Sequence, residues 1–283
     1  MIPSEILNRH PRWIATLLII PLLYAAGWLE AMLMVPLGLP KEQVSLLGTL
    51  LSFLQFVWLM PIWARMRWNE RHAFRFLGLS RQQNQTTPSI VLLVKGTLLA
   101  IGLLGLIAVP LVLNGWALWR PQLSIATTFN ALILGLVVGL AEELIFRSWL
   151  HSELKLFWRN QQAIVGQALV FSVVHTRFNL GASAMMGLLV GLFLLGMLLA
   201  IQRKLDQNSL WGCIGLHGGL VAGWFVLQSE LLQISTDAPA WLIGPGGAHA
   251  NPLGSNVAIV ALIAIILLKL LRPNTSPASE KTT

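Results

Sequence analysis

The chain has 283 residues, of which 55% are hydrophobic and only 11% are charged. A soluble domain carries about 25% charged residues, so this composition excludes an ordinary soluble protein and indicates an integral membrane protein. The formal net charge of +8 does not indicate a nucleic-acid partner, because the Lys and Arg residues stand mostly in short segments between apolar ones.

The apolar residues fall into about eight segments of the kind that cross a bilayer. In chain order these segments are 13–37, 44–63, 90–113, 129–150, 163–175, 185–202, 211–228 and 257–271. Because the hydrocarbon core offers no partner to backbone N–H and C=O groups, each segment is predicted to be a helix. The predicted fold class is therefore all-α, a polytopic membrane bundle of about eight transmembrane helices around an intramembrane cavity.

Three parts are predicted along the chain. Residues 1–128 hold the first three spans and their loops, and residues 129–229 form the core that carries the candidate site. Residues 230–283 contain a Gly/Pro-rich loop, the last span and a polar tail from 273 to 283 that is predicted to be disordered. The loop from 230 to 256 is predicted to be an ordinary connection, with a lid over the cavity as the alternative.

Basic residues are concentrated on one side of the predicted bundle. That side carries Arg9, Arg12, the arginines between 65 and 81, Lys155, Arg159, Arg203, Lys204, Arg272 and Lys281, whereas the other side carries Lys41, Arg120 and Arg177. Since cytoplasmic loops are enriched in Lys and Arg, both termini are predicted to be cytoplasmic, and the membrane is predicted to be the cell membrane.

A small group of ionisable residues lies inside the predicted spans: Glu142, Glu143, Arg147, His175 and His217. A charged side chain near the bilayer centre costs about 3 kcal/mol, so two adjacent carboxylates in one span indicate a function. Glu143 and Arg147 are four residues apart on a helix and can pair. Glu142 is rotated by about 100° from its neighbour and can face a cavity, where it is free to act as a general base.

The order of the spans predicts that Glu142 and His175 meet. Segments four and five form a helical hairpin with its turn near 158–162, and Glu142 precedes that turn by about as many residues as His175 follows it. Both side chains are therefore expected at one depth in the membrane. Phe171 lies one helical turn from His175 on the same face and is predicted to shield the imidazole from lipid.

His217 lies in the seventh segment and is followed by Gly218 and Gly219, which leave room for another helix or a substrate backbone to approach. A carboxylate and two histidines in a low-dielectric cavity can activate a water and stabilise an oxyanion, which is the chemistry of peptide hydrolysis. The same side chains can also bind zinc. The cofactor therefore stays open between none and a divalent metal such as zinc.

Three motifs stand in order on three of these segments. Residues 142–147 read Glu-Glu-x-x-x-Arg, residues 171–175 read Phe-x-x-x-His, and His217 stands where a third histidine motif belongs. In this pattern residues 132–221 resemble the CPBP family of CAAX proteases and bacteriocin-processing intramembrane proteins, which includes the eukaryotic type II CAAX prenyl endopeptidase. The resemblance implies a multi-helix bundle whose intramembrane cavity cleaves peptide bonds in a membrane-associated or lipidated protein or peptide.

The resemblance also implies a role for each motif residue. Glu142 activates water, His175 assists it and His217 stabilises the oxyanion, while Glu143 and Arg147 hold the architecture.

Val221 departs from the family pattern, which usually places Asn four residues after the third-motif histidine. Valine donates no hydrogen bond, and the loss of one oxyanion donor costs about 10²–10³ in rate. Val221 therefore favours the alternative function, a non-catalytic membrane scaffold or bacteriocin-immunity-type protein of the same fold. A third alternative is a transporter with a buried carboxylate–histidine relay. In each case the expected partners include membrane lipids and exclude nucleic acid.

Overall fold

Eight helices of 15 or more residues make up most of the described part of the chain. The computed structural model describes residues 12–82, 85–246 and 250–271. In the described part, the helices are α1 (Trp13–Leu33), α2 (Val44–Trp68), α3 (Ser89–Leu113), α4 (Ile125–Glu142), α5 (Asn160–Val174), α6 (Ala182–Leu205), α7 (Trp211–Val226) and α8 (Asn256–Leu270). Each predicted apolar segment overlaps one of these helices, although the bounds differ by several residues at some ends. Arg9, Arg272, Lys281 and the tail from 273 to 283 lie outside the described residues.

Five stretches of the described chain are long and apolar enough to cross a membrane: Trp13–Leu37, Lys41–Trp68, Ser89–Leu113, Ile125–Leu154 and Ala182–Leu205. Helix α8 is apolar but shorter. Helices α5 and α7 carry the two histidines and are also short, with 15 and 16 residues.

The fourth span changes its helical form at the paired glutamates. Helix α4 ends at Glu142 and continues as a π-helix over Glu143–Leu150, followed by one α-helical turn over His151–Leu154. π-helical segments occur often at functional sites. The chain then turns, and α5 begins at Asn160, where the Gln162 side chain accepts a hydrogen bond from the Arg159 backbone N–H at 3.0 Å. The predicted helical hairpin is present.

Helix α7 packs between α3 and α4 through small residues. A Cβ at Gly135 of α4 would lie 2.5 Å from the Gly218 carbonyl oxygen, and a Cβ at Gly219 would lie 2.8 Å from the Ala100 Cβ of α3. Close contact at such positions is how helices associate within lipid. The glycines after His217 therefore admit neighbouring helices, and this packing fixes the position of the histidine.

A short β-ribbon departs from the all-α prediction. Strand β1 (Ala117–Trp119) pairs antiparallel with β2 (Leu232–Ile234), with Ala117 opposite Ile234. Strands of three residues are too short to show alternating polarity. The predicted loop from 230 to 256 also contains a short helix at Ala240–Ile243 and a 3₁₀ turn at Pro252–Gly254.

Two arginines that the sequence placed in loops are buried within helices instead. Arg67 lies in the last turn of α2 and forms an ion pair of 3.0 Å with the buried Glu153. Arg203 lies in the last turn of α6 and donates to the Arg147 backbone carbonyl. Their prediction as loop residues was wrong. The sequence does not distinguish a basic residue that is exposed at a helix end from one that is buried there.

Candidate functional site

Glu143 joins His217 to Arg147 at the start of the π-helix. Its Oε1 lies 2.8 Å from His217 Nδ1, and its Oε2 lies 3.3 Å from Arg147 Nε. The Glu143 and Arg147 side chains are both completely buried. The carboxylate thus balances the guanidinium charge with one oxygen and orients the imidazole with the other.

Glu142 faces the two histidines across a small gap. Its Oε2 lies 3.4 Å from His175 Nε2 and 3.7 Å from His217 Nε2. This oxygen is buried and has no hydrogen-bond partner among the described residues. The structure therefore brings together the three residues that the sequence singled out for catalysis, with Glu142 and His175 at the same depth.

In both histidines, Nδ1 lies within hydrogen-bond distance of an acceptor oxygen. His175 Nδ1 lies 2.7 Å from the Phe171 carbonyl oxygen, which can only accept, so Nδ1–H donates. His217 Nδ1–H donates in the same way to Glu143. In a neutral imidazole, Nε2 then carries a lone pair, so three acceptor atoms face one another in the gap. These three acceptor atoms are satisfied when one of them carries a proton or when a water bridges them.

Phe171 separates the polar groups of the site. Its ring centroid is 4.7 Å from that of His175 and 5.7 Å from that of His217, and the Arg147 guanidinium lies 4.0 Å from it. Phe171 is fully buried. It was predicted to shield His175 from lipid, and in the structure it contacts both histidines and covers the guanidinium through a cation–π contact.

A cavity of about 380 Å³ opens onto the histidine side of Glu142. Glu142, His175, His217 and Val221 line it. Most of the remaining wall is apolar, with side chains from α3, α4, α6, α7 and α8, and polar groups are contributed by Arg177, Gln228 and Asn251. Carboxylate and imidazole groups therefore lie in a cleft whose other walls suit an apolar ligand.

The connection from 230 to 256 contributes to this cavity. Ala250, Asn251, Pro252 and Leu253 line it. The Trp224 indole N–H of α7 donates to the Ala250 carbonyl oxygen at 3.1 Å, which holds the segment against the site. The sequence could not identify these wall residues, because they act through backbone position.

Arg203 is a site-supporting residue that sequence reasoning missed. It is 7% exposed and donates to the Arg147 carbonyl and, at 3.4 Å, to the Asn208 carbonyl. It therefore anchors the π-helix that presents Glu143. A buried position for the last turn of α6 is the signal that would have identified it, and sequence alone does not give burial.

A metal site is not defined by the described side chains, since no group of three or more His, Cys, Asp or Glu residues among them has a suitable arrangement.

The fold and the site together define a helical membrane protein with an acid–base centre inside its bundle. Residues 124–223 match the family model of the type II CAAX prenyl endopeptidase Rce1-like proteins, so the chain carries a domain of this family and the resemblance of its motifs is confirmed. This match supports a CAAX-type protease or a related family member. Residues 3–72 match a family described as a domain of unknown function (DUF8676). No curated protein and no solved structure matches the chain.

Proposed function

We propose that the chain is an intramembrane endopeptidase that hydrolyses a peptide bond in a membrane-associated or lipidated substrate. The observation that carries the proposal is the unpartnered Glu142 Oε2, which faces both histidine Nε2 atoms at one wall of a mostly apolar cavity. An unsatisfied carboxylate oxygen inside a membrane is costly, and a water bound there would satisfy it.

In the proposed reaction, this water lies between Glu142 and His175 and attacks the substrate carbonyl carbon. Glu142 accepts the proton of the water, and His175, held in orientation by the Phe171 carbonyl, assists the transfer. The proton passes to the leaving amine as the carbon–nitrogen bond breaks.

His217 is proposed to stabilise the oxyanion through Nε2–H. In this role both ring nitrogens carry hydrogen, and the buried Glu143 carboxylate accepts from Nδ1 and orients the ring. Arg147 holds Glu143 in place. The arrangement resembles the orientation of a catalytic histidine by a buried carboxylate in other hydrolases.

A non-catalytic scaffold or bacteriocin-immunity-type protein is the second candidate, and Val221 is the observation that favours it. Val221 lines the cavity one turn after His217, where a donor to the oxyanion would be placed, and its side chain donates no hydrogen bond.

We further propose that α5, α7 and α8 cross the membrane with the five longer spans, to give about eight spans with both termini in the cytoplasm of the cell membrane. The exposed basic residues support this orientation after Arg67 and Arg203 are removed from the count. Arg71, Arg75, Lys155 and Lys204 remain exposed on one side. The proposed units are residues 1–128, 129–229 and 230–283.

The proposed function is tested by incubating detergent-purified protein with a library of membrane-anchored peptides. Wild type is expected to cleave and Glu142→Gln to lose cleavage, because the amide cannot accept the proton of the water. Glu30→Gln is the matched control, since Glu30 is an exposed glutamate of α1 that accepts a hydrogen bond from Gln55. A parallel sample with chelator shows whether a metal is needed.

If folded wild type cleaves no peptide while a known protease cleaves its own control, the endopeptidase proposal is wrong. The scaffold then becomes the better explanation, and it predicts that an in-vivo phenotype survives Glu142→Gln.

A further inference from the structure

The cavity extends from Glu142 towards one face of the bundle only. On α3, the lining residues Leu103 and Ile107 lie in the second half of the helix, and on α7 the lining runs from His217 onwards to Gln228. On α4, which runs in the opposite direction, the lining residues Leu134 and Val138 precede Glu142. Helices of both directions thus place the cavity on the same side of the glutamate.

The segments at that face complete the cavity. Arg177, which follows the end of α5, and Asn251, which precedes α8, both line it, and Arg177 is exposed. On the other side, the buried Glu143–Arg147 pair lies between Glu142 and a smaller cavity of about 120 Å³, which Arg147 and Arg203 line and Glu142 does not. A substrate therefore enters from the face of Arg177 and meets Glu142 and His217 at the inner end.

The opposite face is the basic one. The turn from α4 to α5 carries the exposed Lys155 and Arg159, and the segment after α2 carries the exposed Arg71 and Arg75. On the face with the cavity entrance, the exposed basic residues of the described chain are Lys41, Arg120 and Arg177. Cytoplasmic segments carry the excess of Lys and Arg, so the entrance lies on the extracytoplasmic face.

We propose that the cavity receives its substrate from the extracytoplasmic side, so that the substrates are exported, membrane-anchored polypeptides whose cleaved bond lies at or below the outer surface. This rests on the proposed peptidase function for the identity of the substrate, but the direction of access rests on the placement of the cavity. A cytoplasmic lipidated protein would approach the basic face, on the side away from the cavity that Glu142 lines.

The single cysteine makes the direction of access measurable. Cys213 is the one cysteine of the sequence and is fully buried, so the unmodified chain serves as the unlabelled reference. Phe178→Cys introduces a thiol beside the entrance, where the phenylalanine is 95% exposed. Lys155→Cys introduces one on the basic face, and Gln228→Cys introduces one on the cavity wall.

Right-side-out membrane vesicles are treated with a membrane-impermeant maleimide, before and after permeabilisation with detergent. Phe178→Cys and Gln228→Cys are expected to be labelled in sealed vesicles. Lys155→Cys is expected to be labelled only after permeabilisation. Variants are used only if they elute from size-exclusion chromatography at the wild-type position.

Labelling of Lys155→Cys and protection of Phe178→Cys in sealed vesicles would overturn the orientation and the proposal with it. Labelling of both in sealed vesicles would equally contradict a single orientation. If Phe178→Cys is labelled but Gln228→Cys reacts only after permeabilisation, the cavity opens to the other side and the proposal is wrong. None of these readouts requires cleavage, so a failure of the peptidase function is seen separately in the peptide assay.

Discussion

Glu143 is predicted to have two separable roles, one in stability and one in the reaction. Glu143→Gln keeps the size of the side chain but removes the negative charge, and this leaves Arg147 without its carboxylate partner in a fully buried position. Breaking a buried ion pair by removing one partner costs about 3–5 kcal/mol of unfolding free energy. The same substitution replaces the carboxylate that orients the His217 ring, and we expect kcat to fall by about 10²–10³, the loss typical of one oxyanion donor.

The double variant Glu143→Gln/Arg147→Met separates these two effects. Methionine has no charge to compensate and can fill the space beside Phe171, so most of the lost stability should return. Activity should stay low, because His217 still lacks its carboxylate. Stability is measured by denaturant unfolding in mixed micelles, and kcat is measured on a peptide identified in the cleavage assay.

Recovery of wild-type kcat in the double variant would show that Glu143 acts through folding alone, and our assignment of His217 as the oxyanion donor would lose its support. A single variant that unfolds at the wild-type denaturant concentration would show instead that the buried pair does not stabilise the fold.

Three further predictions follow from the cavity, the second ion pair and the helix contacts. Val221→Asn should raise kcat by up to about 10²–10³ by adding an oxyanion donor, whereas Val221→Leu should not; equal rates would mean that the donor lies elsewhere. Glu153→Ala should lower the unfolding free energy by about 3–5 kcal/mol because the buried Arg67 guanidinium loses its carboxylate counter-charge, and an unchanged unfolding curve would contradict this. Gly218→Leu should abolish folded protein in size-exclusion chromatography, since a Cβ there meets the backbone of α4, while Gly102→Leu, where a Cβ meets nothing within 4 Å, should fold normally.

The helices were predictable because lipid leaves the backbone few alternatives. A segment that is apolar over the thickness of the bilayer must satisfy its own N–H and C=O groups, so hydrophobicity alone indicates the helix. Helix α5 shows the limit of this reasoning. It is 15 residues long, and its start at Asn160 depends on the Gln162 cap in a polar stretch where apolarity gives no signal.

The meeting of Glu142 and His175 was also predictable, because a tight helical hairpin converts sequence distance into depth. Counting residues from the turn placed both groups at one level, and their atoms lie 3.4 Å apart. The contact between His217 and Glu143 could not be predicted without knowing which helices pack together. It depends on the packing of α7 against α4 through Gly135 and Gly218. The sequence does not show which helix a given glycine contacts.

Burial of charge was the least predictable feature. Arg67, Arg203 and Glu153 occur at helix ends, where sequence patterns indicate exposed residues that mark topology. In the structure Glu153 accepts hydrogen bonds from Thr16, from Trp63 and from Arg67, and so connects α1 and α2 to the end of the fourth span. Since residues 3–72 match a separate family, this cluster is one of the contacts between that segment and the Rce1-like domain, together with the packing of Phe56 and Trp63 on Trp149.

The adjacent glutamates show how one helix can give two identical side chains different functions. Glu142 ends the α-helix and reaches the cavity, where its Oε2 faces both histidines and has no hydrogen-bond partner among the described residues. Glu143 begins the π-helix and is enclosed by His217 and Arg147. A fully buried carboxylate held between an imidazole and a guanidinium cannot reach a water in the cavity, whereas a carboxylate that lines the cavity can. The proposed division between general base and positioning residue therefore follows from the surroundings of each carboxylate. For the same reason, substitution of Glu142 and substitution of Glu143 should differ in their effect on stability.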